Sequence, residues 1–494
     1  MKRIILVLLL LFSIITQSFG ADRYVGGCGS PYYNTISAAI TAASDGDTIK
    51  ICDGIYNEAI TINKGLTITS ASGDRTKVTI RSNNNSSTAI ITTYASITIS
   101  NIKIENSGNG NTIRLNTDPS NPVTFDNLEL NSNGQSIYVA SNINSSITIK
   151  NSIITSNMSN GIYFNNILNN GIIIDNVSIT SYDNGIYFNN TINNGVTIKN
   201  SKITSLNNQG IYFRSEINGE AYFDNITVDN GIYFNNTINN GVTIKNSKIT
   251  SLNNQGIYFR SEINGEAYFD NITVSSKNRA INLNIVNGKA IIKNVSAKTT
   301  TSNATNNEAL YVSGTLNNGI TINNSIFKSS NGKAAVFTND IWGNGLSIDS
   351  SQFIAYQAAL ELASSRNYNP VITNSYFESK TDTALNANLA NWTKFYVNNS
   401  CFKTSSTNIN KYGLNLSISN SNDVHINNNC FYAPTTKQLA ISTTAGYDWS
   451  GNYWENNIGV YNQNKVYDGT PLSSCQSGCS RPKPIVEYRM DECS

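Results

Sequence analysis

Apolar side chains in this chain come in short bursts that alternate with polar ones. Ile186-Tyr187-Phe188, Val196-Thr197-Ile198-Lys199 and Lys202-Ile203-Thr204-Ser205 follow one another, separated by turns rich in Asn and Gly. A period of two reads as half-buried strand, and runs this short, bounded by such turns, do not read as helix. The same three-strand unit recurs every ~21–25 residues, the period of a coil in a parallel β-helix. The largest block of it, Asp183–Val228, is repeated letter for letter as Asp229–Val274. A globular core has no place for a tandem copy of that size, whereas a solenoid, in which each coil touches only its neighbours, accepts it.

One Asn follows the second strand of nearly every coil: Asn101, Asn127, Asn151, Asn176, Asn200, Asn225, Asn246, Asn271, Asn294, Asn324, Asn374, Asn399, Asn428 and Asn452, with Ser350 filling the one gap. Asn tolerates the left-handed backbone of a tight turn, and its amide can bond the same residue one coil away. Stacked amides at Asn151, Asn176, Asn200, Asn225, Asn246 and Asn271 are therefore expected to form a structural ladder. A small residue opens the first strand at a near-constant distance before this Asn, as in Gly161, Gly185, Gly210, Ala309, Ala359 and Ala384. Length variation thus falls in the segment between a third strand and the next first strand.

Composition narrows the setting. The chain has 494 residues and only 13% are charged, with roughly one residue in six Asn. The start, MKRIILVLLLLFSIITQSFG, has a basic opening, a short apolar run and Ser18-Phe19-Gly20 as a cleavage signal. It reads as a signal peptide over residues 1–20 rather than a membrane span, and no second apolar run follows. Without Lys2 and Arg3 the chain is close to neutral, which argues against nucleic acid as a partner. Secretion, with attachment at the cell surface or retention in a periplasm as variants, is the expected location.

These features resemble the right-handed parallel β-helix of the pectin-lyase-like superfamily over about residues 30–460. The N-terminal YNTISAAITAASDGDTIKICDGIYNEAITINKGLTI is similar to that family's opening segment. There an amphipathic helix, here with Ile36, Ala39, Ile40 and Ala43 on one face, covers the open end of the solenoid, and Asp45 and Asp47 serve the turn and cap. The expected fold is all-β: a right-handed single-stranded parallel β-helix of about 16–17 coils, roughly 80 Å long, with an N-terminal helical cap. The chain divides into the signal peptide (1–20), cap and first coils (21–80), β-helix (81–460) and a Cys-containing tail or linker (461–494). The resemblance implies fold more than activity, since the family includes lyases, hydrolases, epimerases and non-enzymatic adhesins.

Register exposes two outward columns. One alternates in sign: Asp126, Lys150, Asp175, Lys199, Asp224, Lys245, Asp270 and Lys293. It serves either to fix register or to face a ligand, and each charge is expected between two opposite ones. The other is aromatic: Tyr138, Tyr163, Tyr187, Tyr212, Tyr233 and Tyr258, flanked by Asn165, Asn189, Arg214, Asn235 and Arg260. A flat tyrosine stripe with Asn and Arg beside it suits sugar rings, and the family binds polysaccharide on this face; tyrosines that merely stack are the other reading. Tyr138, Tyr163, Tyr187, Tyr212, Tyr233, Tyr258, Arg214 and Arg260 are the carbohydrate-binding candidates, and a polysaccharide or cell-surface glycan the expected partner.

Catalytic signatures are missing from the pattern. There are no clustered acids of the lyase type and no paired Asp followed by Gly-His-Gly, so no catalytic residue, metal or cofactor is assigned. The one His, His425, takes an outward second-strand position with a structural role. Arg214 with Glu216 and the copies Arg260 with Glu262 are the best polar pairs, and their duplication suits a repeating surface better than one reaction centre. The expectation is therefore a presenting or adhesive surface, with a polysaccharide lyase or glycoside hydrolase as the alternative. Cys401 and Cys430, two residues after successive corner Asn residues, are expected to pair, as are Cys28 and Cys52. Tyr453 and Trp454 are placed to cover the last coil. The final PKPIVEYRMDECS weakly resembles the start of a lectin-like domain of pilus-associated surface proteins.

Overall fold

The computed structural model describes residues 20–454, 461–462 and 474–475, apart from residue 120 and short segments at 302–304, 366–368, 390–393, 409, 419–422, 434–438 and 443–446. The expected signal peptide (but for Gly20), the tail that resembles a lectin-like domain, Cys479 and Cys493 lie outside these residues. What is described is an all-β parallel β-helix of about 16 turns, with a single helix.

Each coil contributes three short strands to three stacks. The first-strand stack has 17 members, from Ile60–Ile62 to Tyr461–Asn462. Second and third strands form a 34-stranded sheet, because in Val242–Ser251 and Ala267–Ser276 one continuous strand passes through both stacks. Every strand pairing is parallel, and register is kept apart from a bulge at Ala363–Ser365, so that Tyr163 lies on Tyr187 and Ile174 on Ile198.

This register follows from period two. In Val196–Lys199, Val196 and Ile198 are buried while Thr197 and Lys199 face out. A slip of one residue would turn the whole apolar set to solvent. The buried residues form one continuous core from Val25 to Phe431. Like side chains stack on like: Phe164, Phe188, Phe213, Phe234 and Phe259 lie 4.6–4.8 Å apart between ring centroids. A second run, Phe327, Phe353, Phe377, Phe402 and Phe431, is spaced 5.1–5.2 Å. A fourth inward column arises in the turn after the first strand, where single bridges link Ile143, Leu168, Ile192, Ile217, Ile238, Ile263, Val286, Leu316 and Ile341.

The small residues that open the first strands sit where the next coil comes close. A Cβ on Gly185 would lie 2.2 Å from Ile203 Cγ2 and 2.5 Å from the Gly210 carbonyl.

Helix α1, Ile36–Ala42, packs its Ile36, Ala39 and Ile40 onto the first coil, and Thr35 caps it by accepting from the Ala38 N–H. Glu58 reaches up to take the free N–H groups of Ile36 and Ser37 at 2.8 and 3.1 Å, and Lys64 donates to the carbonyls of Ile40, Thr41 and Ala43 at the other end. Both helix ends are thus satisfied with the polarity its dipole favours. Beneath it, Asp47 is 5% exposed and accepts from Ala21 N, Ser44 N and Arg23 Nε at 2.7–2.9 Å.

Candidate binding face

The outward tyrosines of the first strands meet in register but not as one flat stripe. Tyr138, Tyr163, Tyr187 and Tyr212 stack at 5.0–5.4 Å with rings 18–23° from parallel. The stack ends there. Tyr233 meets Tyr258 edge-on, at 5.2 Å and 67°. The turn before Tyr233, Asp229-Asn230-Gly231, is short, with Asn230 and Gly231 both left-handed (φ 65° and 80°). The Tyr233 hydroxyl accepts from Gln255 N, in the turn of the next coil, at 3.3 Å. One coil further, Tyr gives way to Asn282, which is 4% exposed.

The polar residues beside the stack hold it in place. Asn165 and Asn189 accept from the hydroxyls of Tyr163 and Tyr187 at 2.9 and 3.1 Å. Asn189 also accepts from Arg214 Nη1 at 2.8 Å, and the copied pair Asn235 and Arg260 repeats this at 2.9 Å. Arg114 lies 4.9 Å from the centre of Tyr138 and closes the lower end of the stack. Arg214 and Arg260 are exposed. Among the ion pairs of the described residues, neither Arg214–Glu216 nor Arg260–Glu262 occurs; Glu262 accepts from Asn287 at 3.1 Å. Burial raises the Tyr163, Tyr212 and Tyr233 hydroxyls above their ordinary pKa, so these phenols stay neutral and serve as donors and acceptors. The face offers aromatic faces, amides and guanidinium groups in repetition.

The corner after the second strand turns as its Asn column requires. Asn151, Asn176, Asn200, Asn225, Asn246 and Asn271 have φ between 50° and 55°, and Ser350 adopts φ 50° in the gap. At the end of the column the turn residue is Gly451 (φ 67°), not Asn452; Asn452 is fully buried and accepts from the Asn429 N–H at 2.9 Å. Amide meets amide at alternate steps: Asn127 to Asn101, Asn176 to Asn151, Asn225 to Asn200 and Asn271 to Asn246, all at 2.8–2.9 Å. At the steps between, the Asn amide donates to an aspartate of the charged column. Asn151, Asn200, Asn246 and Asn294 bond Asp126, Asp175, Asp224 and Asp270 at 2.8 Å.

The other oxygen of each carboxylate faces the lysine of the same next coil. Lys150, Lys199, Lys245 and Lys293 lie 3.3–3.9 Å from Asp126, Asp175, Asp224 and Asp270. Each carboxylate therefore clamps one Asn and one Lys of the coil above it. The expected position of every charge midway between two opposite ones does not arise, because both carboxylate oxygens are engaged on one side. Burial alone would raise the Asp224 carboxyl, but the Asn246 amide, Lys245 and Tyr222 together hold it below the usual carboxylate range.

An unbroken amide chain runs along a different turn, just after the fourth inward column. From Asn317 it passes through Asn287, Asn264, Asn239, Asn218, Asn193 and Asn169 to Asn144, each side-chain N–H donating to the coil before. Asn144 ends it on the Asp118 carboxylate. Aligned amides polarise one another, and the carboxylate sits at their donor end, where negative charge is favoured. The recurring Ile-Asn-Asn of this turn was the available sequence signal.

Cys28 and Cys52 form a disulfide that ties the N-terminal segment to the first coil. Cys401 and Cys430 are register partners, yet Cys430 bonds Cys475 of the tail, with Cα atoms 5.7 Å apart; Cys401 is itself disulfide-bonded. Parallel register explains why Cys401 and Cys430 do not bond each other. Side chains on stacked strands point the same way and stay about 4.8 Å apart, wider than the ~3.8 Å between Cβ atoms in a disulfide.

His425 belongs to a polar cluster that the sequence pattern did not suggest. Its ring stacks on Tyr396 at 4.7 Å, and its Nε2 lies 2.6 Å from Asp423. Asp423 also accepts from the Tyr396 hydroxyl and lies 3.4 Å from Lys394. The Tyr396 hydroxyl, ahead of His425 and Lys394, holds the Asp423 carboxyl below its ordinary range. Among the described residues no group of His, Cys, Asp and Glu has the spacing to hold a metal ion.

No protein-family model and no curated protein matches this chain. Among solved structures, a PL6-family alginate lyase is similar at 9% identity and a TM-score of 0.26, covering 88% of this chain and 98% of its own. The A-module of the Azotobacter vinelandii mannuronan C-5 epimerase is similar at 11% identity and a TM-score of 0.23, covering 91% of this chain and 100% of its own. Identities and scores are too low to carry activity from those proteins to this one.

Proposed function

We propose that this is an exported β-helix protein whose first-strand face binds a polysaccharide or cell-surface glycan without cleaving it. The observation that carries the reading is repetition. Four tyrosine rings stack in line, and the Asn189–Arg214 arrangement recurs intact as Asn235–Arg260. A reaction needs one geometry, whereas an extended ligand gains from equivalent contacts along its length. Export accords with the disulfides at Cys28–Cys52 and Cys430–Cys475. It also accords with Ala21, whose N lies 2.7 Å from Asp47. Cleavage after Gly20 would place a new ammonium group on that carboxylate. No helix of the described residues is long and apolar enough to cross a membrane.

The test is a glycan array run beside a depolymerisation assay. Binding without release of reducing or unsaturated ends is expected, and Tyr163→Ala combined with Tyr187→Ala should weaken it at least ten-fold. Unchanged binding in that variant would reduce the tyrosines to structural stacking.

A second reading, polysaccharide cleavage, is favoured by the cluster around Asp423. There a His, a Tyr and a Lys converge on one carboxylate, groups able to move a proton. Product release that is lost in His425→Ala would replace the first reading by this one.

A further inference from the structure

We infer that the protein carries a second glycan site, specific for a neutral oligosaccharide, on the second-strand face between Pro122 and Tyr222. A groove of about 610 Å³ crosses the coils there, on a different side of the rod from the tyrosine stack. It runs from Pro122, in the coil of Asp126, to Tyr222, in the coil of Asp224. Five stacked coils at about 4.8 Å make it roughly 19 Å long, room for a short oligosaccharide rather than a single small molecule.

Its lining has the chemistry of a sugar subsite. Ile173 is 41% exposed and lies in register with Thr197, which in turn lies beside Tyr222. Together they form a flat apolar strip on which a pyranose ring can rest. The Tyr222 ring is fixed by its hydroxyl bond to Asp224 at 3.2 Å and by Lys245 at 5.2 Å from the ring centre. Along one margin, the Asn170 and Asn194 amides are exposed and joined by a 2.9 Å bond. Ser145, 4% exposed, lines the floor, and its hydroxyl makes no hydrogen bond within the protein.

Charge selects the ligand class. Glu220 is the one carboxylate of the lining, which holds no Lys, Arg or His. Lys245, which lies over the Tyr222 ring, is engaged by Asp224 at 3.4 Å. A polyuronate would meet a carboxylate and no free cation; a neutral sugar would meet an acceptor for its hydroxyls. The first-strand face, with exposed Arg214 and Arg260, has the opposite bias.

The duplication supplies an internal control. Thr197, Glu220 and Tyr222 recur as Thr243, Glu266 and Tyr268 in identical local sequence, but Ser145, Asn170 and Ile173 precede the copied block and have no second copy. Tyr268 is thus a chemically equal tyrosine outside the groove.

The experiment is calorimetric titration of the full chain with cellohexaose, maltohexaose and xylohexaose, and with hexagalacturonate as the acidic comparison. At least one neutral hexasaccharide should bind more tightly than hexagalacturonate. Tyr222→Ala should weaken it about ten-fold, Ile173→Ser should weaken it without touching the Tyr222 contacts, and Tyr268→Ala should leave it unchanged. The inference fails if no neutral hexasaccharide binds at millimolar concentration, if hexagalacturonate binds better, or if Tyr268→Ala is as damaging as Tyr222→Ala. If Tyr187→Ala alone abolishes binding, the ligand lies on the first-strand face, and this inference falls while the first-strand reading stands.

Discussion

At the scale of single residues, the corner after the second strand shows how one backbone demand selects a residue type. A φ near 50° costs most L-residues about 1–2 kcal/mol, and Asn and Gly escape most of it. The chain answers with Asn at nearly every coil and Gly451 at the last, but with Ser at position 350. The Ser350 hydroxyl donates to its neighbour Asp349 at 2.9 Å. Ser350→Asn is expected to raise stability by about 0.5–1 kcal/mol, read as a higher urea midpoint with unchanged slope. An equal or lower midpoint would mean that the Ser350–Asp349 contact outweighs the backbone term. The Asn column itself was legible in the sequence, because a left-handed turn leaves a compositional mark. The partner of each amide was not legible. Asn and Asp are both acceptors within reach, and which one takes the bond depends on side-chain direction across two coils. The continuous amide chain from Asn317 to Asn144 was missed for a related reason: its turn is marked by the adjacent buried Ile more than by any backbone constraint.

At the scale of elements, α1 and the turn beneath it close the N-terminal end, and Asp47 is the group on which that closure converges. Burial alone would raise its carboxyl; the Ser44 N–H, Arg23 and the Ala21 N–H together hold it below the ordinary carboxylate range. A depressed carboxylate contributes stability above its unfolded pKa, near 3.9, and loses it as pH falls through the lower folded value. The cap should therefore be firm at neutral pH and loosen in acid below about pH 4. Asp47→Asn should weaken it by about 1–3 kcal/mol at pH 7, from the hydrogen bonds lost, and by much less at pH 2. Amide hydrogen exchange across Ile36–Ala42 reads this directly; a pH-independent difference would assign the effect to packing. The tyrosine strands give the complementary lesson. Their strand character and outward register followed from period two, while the break after Tyr212, where Tyr233 meets Tyr258 edge-on, is a matter of ring orientation that the pattern does not encode.

At the scale of the whole molecule, the aspartate clamps give the rod a structural unit of two coils rather than one. Asp224 holds Asn246 and Lys245 across the junction between the two copies, as Asp175, in the coil just before the first copy, holds Asn200 and Lys199 inside it. The duplicated block is two coils long, so it inserts a whole clamp and keeps every sign in step. Deleting Asp229–Val274 should accordingly give a folded rod shorter by about 10 Å in solution scattering. Deleting only the coil from Ser205 to Asp229 would set Lys199 beside Lys245 and should lower the melting temperature well below that of the two-coil deletion. Equal melting temperatures would show that the charged column contributes nothing to register.

Sequence alone determined the architecture of this protein: strands of period two, a recurring left-handed corner, and apolar columns that bury only when like coils stack. Those are local properties repeated many times, and repetition makes a weak local preference readable. Tertiary structure decided which groups meet between coils. It broke the tyrosine stripe, turned each carboxylate toward the coil above, sent Cys430 to the tail, gathered Asp423, His425, Tyr396 and Lys394, and opened the groove beside Tyr222. These outcomes depend on turn lengths and side-chain directions a few ångströms apart in space and some 25 residues apart in sequence, which no single coil encodes.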